Sequence, residues 1–250
     1  MVYICFEGSE GVGKTTQITN LYNYLIQSGK TVLLTKEPGS SHLPITLELR
    51  KFILDSKYET NPQLLVQELT LLLAVSDNSL FSSDSRDWLS NSLFLIKSHN
   101  RITLEARELI IQAVRSIHLE KLVKSSIHFD YVIQDRGILS GLAYGEASGL
   151  DFQFMSWLNN QSTQKTFKKN QFEIYDKIIL LEGNVSAGLN RATQAKKEFD
   201  KGDVIESRGS NYLEKVDKAF KSLKNNFNTS TINVDSKSIL EVFEEIKGLI

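Results

Sequence analysis

Short apolar runs alternate with stretches of helical periodicity along most of this chain. Five runs predict buried strands: VYICF (2–6), TVLLT (31–35), YVIQD (131–135), KIILLEG (177–183) and TINVD (231–235). Between the first two, apolar residues recur at helical spacing at Ile18, Leu21, Tyr22 and Leu25. Strand, helix and strand in this order form a βαβ unit, which requires parallel strands. The alternation continues to the last helix, so we predict one α/β domain over residues 1–250, a doubly wound parallel sheet flanked by helices.

Two stretches break this rhythm. Residues 57–100 are rich in Ser, Asn and Asp around one apolar segment, LLVQELTLLLAV (64–75). Residues 194–211 are highly charged and have little apolar periodicity. We expect the first stretch to be an insertion at an edge or an interface of the domain.

Composition narrows the class of protein. The chain has 29 basic and 30 acidic side chains, a net charge of −1, so no overall field attracts nucleic acid or an anionic membrane, and we expect neither partner. The one cysteine, Cys5, lies in the first apolar run and is expected to be buried. There is no basic leader and no run of about 18 apolar residues, so we predict a cytoplasmic protein.

A glycine-spaced loop follows the first predicted strand, in the segment FEGSEGVGKTTQ (6–17). Gly8, Gly13, Lys14 and Thr15 fit the pattern G-x-x-x-x-G-K-[ST]. Backbone N–H groups can surround a phosphate only where side chains do not block its approach, and the helix that follows directs its positive end at the anion. Lys14 would reach the outer phosphates of the nucleotide, and the Thr15 hydroxyl would ligate Mg²⁺. The alternative, a turn that only caps the helix, leaves Lys14 unexplained.

The whole loop is therefore a candidate nucleotide site. Its expected contact residues are Gly8, Ser9, Glu10, Gly11, Val12, Gly13, Lys14, Thr15 and Thr16. Asp135 ends a predicted strand that would lie near the loop, and we expect it to help hold the metal. Because many strands end in aspartate, Asp135 alone is a weak signal.

Six segments, taken in chain order, resemble the thymidylate kinases, a family of P-loop nucleoside monophosphate kinases. They are FEGSEGVGKTTQ, LLTKEPG (33–39), LELRKFILD (47–55), ITLEARELIIQAVRSIHLEKL (102–122), YVIQDRGILSGLAY (131–144), and GLNRATQ with KGDVIESRG (188–209). The resemblance implies a P-loop kinase fold with a lid near residues 191–211 and an insertion at 57–100. It also implies ATP and Mg²⁺ as cofactors, a deoxynucleoside monophosphate such as dTMP as acceptor, and a homodimer.

The resemblance assigns roles on the phosphate side by position. Lys14 would hold the ATP phosphates, and Glu37 would act on Mg²⁺ through water. Arg50 and Arg136 would clamp the acceptor monophosphate, a task that suits guanidinium groups because each can grip two phosphate oxygens.

The remaining roles concern the sugar and the base of the acceptor. Glu10 would face the sugar and the metal, and Arg115 would hydrogen-bond the base edge. Ile111 stands where the family often has an aromatic residue stacked on the base. Ser140 and Tyr144 would line the acceptor pocket.

Five positions depart from the family pattern. They are Ile111, Gly137 in place of the D-R-Y tyrosine, Gly145 in place of a glutamine, Val204 in place of the lid arginine, and Lys36 in place of the T-R-E-P arginine. Most of these positions would touch base, sugar or lid. The sequence therefore leaves open a modified or different deoxynucleotide as substrate.

The catalytic cation of the lid also stays open. The loop has no internal arginine, and in the family the charge-stabilising cation then comes from the lid. Arg191 matches best, and Lys196, Lys197, Lys201 and Arg208 are the other candidates. The lysines are equally typical of a solvated charge run.

The long helix after residue 103 has a polar face that supports two interpretations. Glu108, Ile111, Arg115 and His118 lie opposite the apolar stripe, so this face either meets water or lines a cleft. A rival alignment matches ELTLLLAV (68–75) or LFSSDSR (80–86) to this family helix and makes Arg86 the base reader. We prefer Arg115, because the segment HLEKLV and then the Asp135 strand follow it in family order.

Three other functions compete with a monophosphate kinase. An ATPase or GTPase switch would need an N-K-x-D element, which the chain lacks. A kinase of nucleosides would not need paired arginines for an acceptor phosphate. A non-catalytic nucleotide-binding protein is kept open by the changes at Ile111, Gly137 and Val204.

Overall fold

The computed structural model describes residues 1–75, 80–196 and 209–250. Five parallel strands form one sheet: β1 Val2–Glu7, β2 Val32–Lys36, β3 Tyr131–Asp135, β4 Lys177–Glu182 and β5 Thr229–Asn233. Their spatial order is β2-β3-β1-β4-β5. Asp135 lies beside both Phe6 of β1 and Lys36 of β2, so the carboxyl ends of three strands meet at one edge. The direction of winding changes beside β1, and this is where open α/β sheets bind ligands.

Eleven α-helices lie in the described residues: α1 Lys14–Gln27, α2 Pro44–Leu54, α3 Ser56–Thr60, α4 Pro62–Val75, α5 Ser83–His99, α6 Leu104–His118, α7 Ile138–Ser148, α8 Phe152–Phe167, α9 Val185–Lys196, α10 Ser210–Leu223 and α11 Ile239–Lys247. None of these helices is long and apolar enough to cross a membrane. The periodicity after residue 103 continues past α6 as a π-helical turn, Leu119–Val123, and a 3-10 turn, Lys124–Ser126.

Both faces of the sheet are covered by helices, because the apolar side chains of β1 point alternately to the two faces and must be buried on both. Ile4 and Phe6 point to a core shared with α1 and α11. Tyr3 and Cys5 point to the opposite core, where α7 and α10 pack. The predicted doubly wound α/β fold is confirmed, and Cys5 is buried as expected. The predicted strand at 231–235 is displaced, since β5 pairs over Thr229–Asn233.

The stretch 57–100 contributes helices to a third core. Leu65 and Leu69 of α4 and Trp88 and Leu89 of α5 are buried against α2 and α6. Ser82 caps α5 by accepting a hydrogen bond from Ser85 N at 3.2 Å. The stretch is thus a helical layer that supports α6, and α6 carries Arg115.

Candidate active site

The phosphate loop owes its shape to glycines between β1 and α1. Gly8 and Gly11 have φ of +135° and +70°, in the region that favours glycine. A Cβ on Gly8 would lie 2.3 Å from the carbonyl oxygen of Leu181, and one on Gly11 would lie 1.8 Å from that of Gly188. Glycine is therefore required at both positions, because the backbone at the end of β4 and in α9 leaves no room for a side chain.

Lys14 is folded into this loop. Its ammonium donates to the carbonyl oxygens of Gly8 at 3.0 Å and Ser9 at 2.7 Å. Burial, and secondarily the charge of Arg136, lower the pKa of Lys14 to about 7. An anion within the loop would favour the charged ammonium, so nucleotide binding and the protonation of Lys14 are coupled.

A cleft of about 600 Å³ opens above the loop at the carboxyl ends of the strands. The predicted residues that line it are Glu10, Gly11, Val12, Gly13, Lys14, Thr15, Thr16, Arg50, Asp135, Arg136 and Arg191. Lys36 and Lys237 line it as well, so basic side chains outnumber acidic ones. This charge and this volume suit the phosphates of nucleotides.

Arg136 occupies the junction between β3 and α7. It has φ of +63°, an uncommon conformation for a residue with a side chain. One guanidinium nitrogen donates to Gly8 O at 2.9 Å and to Ser140 Oγ at 3.1 Å, and another contacts Glu10 at 2.5 Å. The ring of Tyr144 lies 5.4 Å from the guanidinium carbon. Four of the predicted acceptor-side residues, Glu10, Arg136, Ser140 and Tyr144, are thus in contact.

Arg50 reaches the same cleft from α2. It is half-buried, and its guanidinium donates to Pro38 O at 2.7 Å. The structure therefore places both predicted phosphate-clamping arginines on one cleft with Lys14.

The predicted metal residues divide into two groups. Thr15 is exposed to the cleft, and Asp135 lines it. Asp135 Oδ2 lies 3.2 Å from Lys36 Nζ, while Oδ1 is buried with no hydrogen-bond partner among the described residues. A hydroxyl and an unpartnered carboxylate oxygen suit Mg²⁺, which prefers oxygen ligands and usually takes others from phosphates and water. The described residues contain no cluster of His, Cys, Asp or Glu able to hold a metal alone.

Glu37, which is predicted to act on Mg²⁺ through water, is set back from the cleft. It is buried, does not line the cleft, and its Oε2 accepts a hydrogen bond from Arg115 Nε at 2.8 Å. Its Oε1 is buried with no hydrogen-bond partner among the described residues. The carboxylate therefore faces α6, and any action on Mg²⁺ would have to pass through that second oxygen.

The polar face of α6 is mostly buried and does not line the large cleft. Glu108, Arg115 and His118 are all buried. Arg115 Nη1 donates to Asn159 Oδ1 of α8 at 2.5 Å, and Gln112 Nε2 joins Asn159 to Glu108. Burial raises the pKa of Glu108 and lowers that of His118. The interpretation that this face meets water is corrected, because most of it forms a buried hydrogen-bond network between α6 and α8. Glu108 and Ile111 do line a small cavity, as the cleft interpretation predicts.

One nitrogen of Arg115 lies beside the acceptor side of the site. Its Nη2 is 3.0 Å from where a Cβ on Gly141 would stand. The rival Arg86 instead contacts Leu73 O at 3.4 Å and the Phe81 ring, away from the cleft. The structure thus brings Arg115, not Arg86, towards the predicted site.

A second cavity of about 80 Å³ is lined by Tyr144, whose ring lies 5.4 Å from the guanidinium carbon of Arg136 in the cleft. Its lining includes Ile53, Glu108, Ile111, Gly141, Tyr144, Gly145 and Tyr212. A Cβ on Gly145 would lie 2.0 Å from Met155 Sδ, so Met155 takes the space of the family glutamine. A Cβ on Gly137 would lie 2.2 Å from the Tyr175 hydroxyl oxygen, so Tyr175 likewise fills the space beside Gly137.

Arg191 is exposed on α9, and its Nε donates to Gly11 O at 2.9 Å. Lys196 ends that helix. The other lid candidates, Lys197, Lys201 and Arg208, lie outside the described residues, as does Val204.

Sequence reasoning missed two residues at this site. Glu7 ends β1, is fully buried, and binds the first turn of α7 through Gly137 N and Ser140 N. Asn159 orients Arg115 from α8. A carboxylate directly after an apolar strand was a signal for Glu7, whereas an asparagine within a polar helix gave none for Asn159.

Comparison with known proteins agrees with this geometry. A family model described as thymidylate kinase matches residues 6–84 and 93–246, so residues 85–92 are the unmatched part of the stretch 57–100. The thymidylate kinase of Campylobacter concisus is 29% identical over 253 residues, covering 100% of this chain and 98% of the relative. That of Sulfurihydrogenibium sp. is 27% identical, covering 98% and 94% of the two chains.

An archaeal relative gives the same result. The probable thymidylate kinase of Thermococcus gammatolerans is 27% identical over 253 residues, covering 100% of this chain and 95% of the relative. The motifs quoted from the sequence and the family match thus agree along nearly the whole chain. The chain belongs to the thymidylate kinase family, and so to the nucleoside monophosphate kinases.

Proposed function

We propose that this enzyme transfers the γ-phosphoryl group of ATP to dTMP, producing dTDP and ADP. One observation carries the proposal: Lys14 and Arg136 both donate to the carbonyl oxygen of Gly8, at 3.0 and 2.9 Å. A cation suited to the donor phosphates and one suited to an acceptor phosphate thus converge on a single atom of the loop. The relatives named thymidylate kinase support dTMP as the acceptor.

The donor side would be the phosphate loop. Its backbone amides and Lys14 hold the ATP phosphates at the positive end of α1. Arg191, which is tied to the loop through Gly11 O, is the cation of the lid that we assign to the developing charge. Thr15 and Asp135 would hold Mg²⁺, which neutralises phosphate charge when bound.

The acceptor side would be the two arginines. Arg50 and Arg136 grip the phosphate of the monophosphate and hold one of its oxygens in line with the γ-phosphorus. Glu10 binds the Arg136 guanidinium and keeps it directed along the cleft. Little proton transfer is needed, so positioning and charge neutralisation carry the catalysis.

The base would lie towards the small cavity beside Tyr144. Arg115 Nη2, next to Gly141, donates to a carbonyl of the base, and Ile111 supplies an apolar wall. Glu37 and Asn159 hold the other guanidinium nitrogens, so they fix the direction of this donor.

A second candidate is a kinase of another or modified deoxynucleoside monophosphate. Met155 and Tyr175 leave no room for a side chain at positions 145 and 137. Both positions depart from the family pattern, and this departure favours the second candidate. The convergence of Lys14, Arg50 and Arg136 on one cleft counts against a non-catalytic protein. We also infer, from family resemblance, a homodimer that acts in the cytoplasm.

The test is ADP release with ATP and Mg²⁺ against dTMP, dUMP, 5-substituted dUMPs, dCMP, dGMP, dAMP and UMP. We expect the highest kcat/KM with dTMP and no turnover by Lys14→Ala. Preference for another monophosphate supports the second candidate. No turnover with any acceptor, while ATP still binds, contradicts both, as does undiminished turnover by Lys14→Ala.

A further inference from the structure

The first turn of α7 is capped by a residue of another element. Gly137, at its N-cap position, has no side chain to accept the free N–H groups of the turn. Glu7 of β1 accepts from Gly137 N at 2.9 Å and from Ser140 N at 3.1 Å. Its second carboxylate oxygen accepts from the Ser140 hydroxyl.

Tyr175 completes this arrangement and explains the glycine. Its hydroxyl accepts from Ile138 N at 3.2 Å and from Gln134 Nε2 at 3.3 Å. The same hydroxyl oxygen stands 2.2 Å from the place of a Cβ on residue 137. Residue 137 therefore cannot carry a capping side chain, and Glu7 and Tyr175 take over that task.

The capped turn is attached to the site on both sides. Arg136 precedes Gly137 and holds a left-handed backbone with φ of +63°. Its guanidinium donates to Ser140 Oγ at 3.1 Å, and Ser140 donates in turn to Glu7. Gly8, whose carbonyl oxygen binds Lys14 and Arg136, follows Glu7 directly in the chain. Glu7 thus joins the root of the phosphate loop to the arginine of the acceptor side.

We propose that Glu7 is a positioning residue for the acceptor phosphate, which fixes Arg136 and Ser140 relative to the phosphate loop. This rests on the proposed function, because it takes Arg136 as a ligand of the acceptor. Glu7 itself is fully buried and does not line the cleft, so it acts only through the turn it holds.

A cap that served stability alone would behave differently. Losing it would lower the melting temperature and leave the affinities for both nucleotides unchanged. Loss of a positioning residue lowers affinity for the acceptor selectively, because α7 carries acceptor-side residues, whereas the loop amides that would hold ATP lie at the start of α1.

The test compares the full-length wild type with Glu7→Gln, which keeps the size but removes the charge. Isothermal titration calorimetry gives the Kd for dTMP and, separately, for ATP with Mg²⁺. We expect the dTMP Kd to rise about fivefold or more, since hydrogen bonds to a charged acceptor are about twice as strong as neutral ones, and the ATP Kd to change less than about twofold.

The matched control is Ser82→Ala, which removes the cap of α5 at a residue that does not line the cleft. It should lower the melting temperature and leave both dissociation constants unchanged. If Glu7→Gln does not fold, Tyr175→Phe removes the other half of the cap and should weaken dTMP binding in the same selective way.

A double-mutant cycle with Ser140→Ala separates direct from indirect action. If Glu7 acts through Ser140, the two substitutions together weaken dTMP binding by less than the product of their separate effects. Independent effects, equal loss of both affinities, or a result like that of Ser82→Ala would overturn the proposal. If the wild type is active and one of these results is found, only the role of Glu7 is refuted. If the wild type binds no dTMP, the proposed function is refuted as well.

Discussion

Glu37 and Arg115 form a buried ion pair, with 2.8 Å between Oε2 and Nε and side-chain exposures of 2% and 3%. They are far apart in the sequence, at the end of β2 and near the end of α6, and the pair joins the sheet edge to the helical layer. Asn159 holds the same guanidinium from α8 at 2.5 Å. The Arg115 guanidinium, which base recognition would use, is therefore held in place before any substrate binds.

Removing one member of this pair should be costly. Glu37→Ala leaves the guanidinium buried without its counter-charge, and we expect unfolding free energy to fall by about 3–5 kcal/mol. Urea denaturation measures the change. The double variant Glu37→Ala with Arg115→Met should lose less than the sum of the single losses. Additive losses would show that the two groups do not interact.

Protonation of Lys14 should accompany nucleotide binding. Its pKa of about 7 in the folded chain rises when phosphate anions surround the ammonium, so ATP binding near pH 8 takes up a proton. Calorimetry in buffers of different ionisation enthalpy measures the uptake. Lys14→Arg, whose guanidinium stays charged, should show none, and equal uptake by both proteins would contradict the assignment.

The same depressed pKa predicts how stability changes with pH. Between pH 7 and the ordinary lysine pKa near 10.5, the unfolded chain binds a proton at this position that the folded chain does not. Stability of the nucleotide-free protein therefore rises with pH across this window, relative to Lys14→Met. Denaturation midpoints at pH 6.5 and about 9.5 test the sign. A wild type that gains no more than the variant would refute it.

Arg50 should serve the acceptor and not the donor. We expect Arg50→Ala to raise the KM for dTMP by at least about tenfold, since one charged hydrogen-bonding group of the phosphate site is lost, with little change in the KM for ATP. The neighbouring Lys51→Ala is the matched control, because Lys51 points to solvent and pairs with Glu48. Steady-state kinetics with each substrate varied decide the matter, and equal effects of the two substitutions would count against the role of Arg50.

Position 145 should tolerate a side chain only when the Met155 side chain moves away or is shortened. A Cβ there would stand 2.0 Å from Met155 Sδ, so Gly145→Ala should cost about 1–3 kcal/mol by overpacking. The cost should be smaller when Met155→Ala is already present, which a double-mutant cycle in urea measures. A Gly145→Ala protein as stable as the wild type would show that the contact relaxes freely.

Local patterns predicted the sheet and the phosphate loop because their determinants are local. The spacing of Gly8, Gly13 and Lys14 is itself the geometry that surrounds a phosphate, and short apolar runs mark buried strands. The side of β1 on which each residue lies follows from strict alternation, as Ile4 and Tyr3 show.

Long-range pairing was beyond the sequence. Nothing near Glu37 indicates that its partner is Arg115, and nothing near Gly137 indicates that Tyr175 fills its side-chain space. The polar face of α6 illustrates the same limit: Glu108 has the pattern of a solvated position, yet tertiary packing buries it against α8. In each case the partner comes from an element distant in sequence.

Phosphorus NMR of a mixture of the enzyme, ATP, Mg²⁺ and dTMP tests the central claim most directly. If the enzyme transfers the γ-phosphoryl group to dTMP, the γ-phosphate signal of ATP and the single signal of dTMP are replaced by the β and α signals of dTDP, together with those of ADP, and inorganic phosphate hardly forms. Release of inorganic phosphate with dTMP left unchanged would show hydrolysis in place of transfer, and would contradict the account.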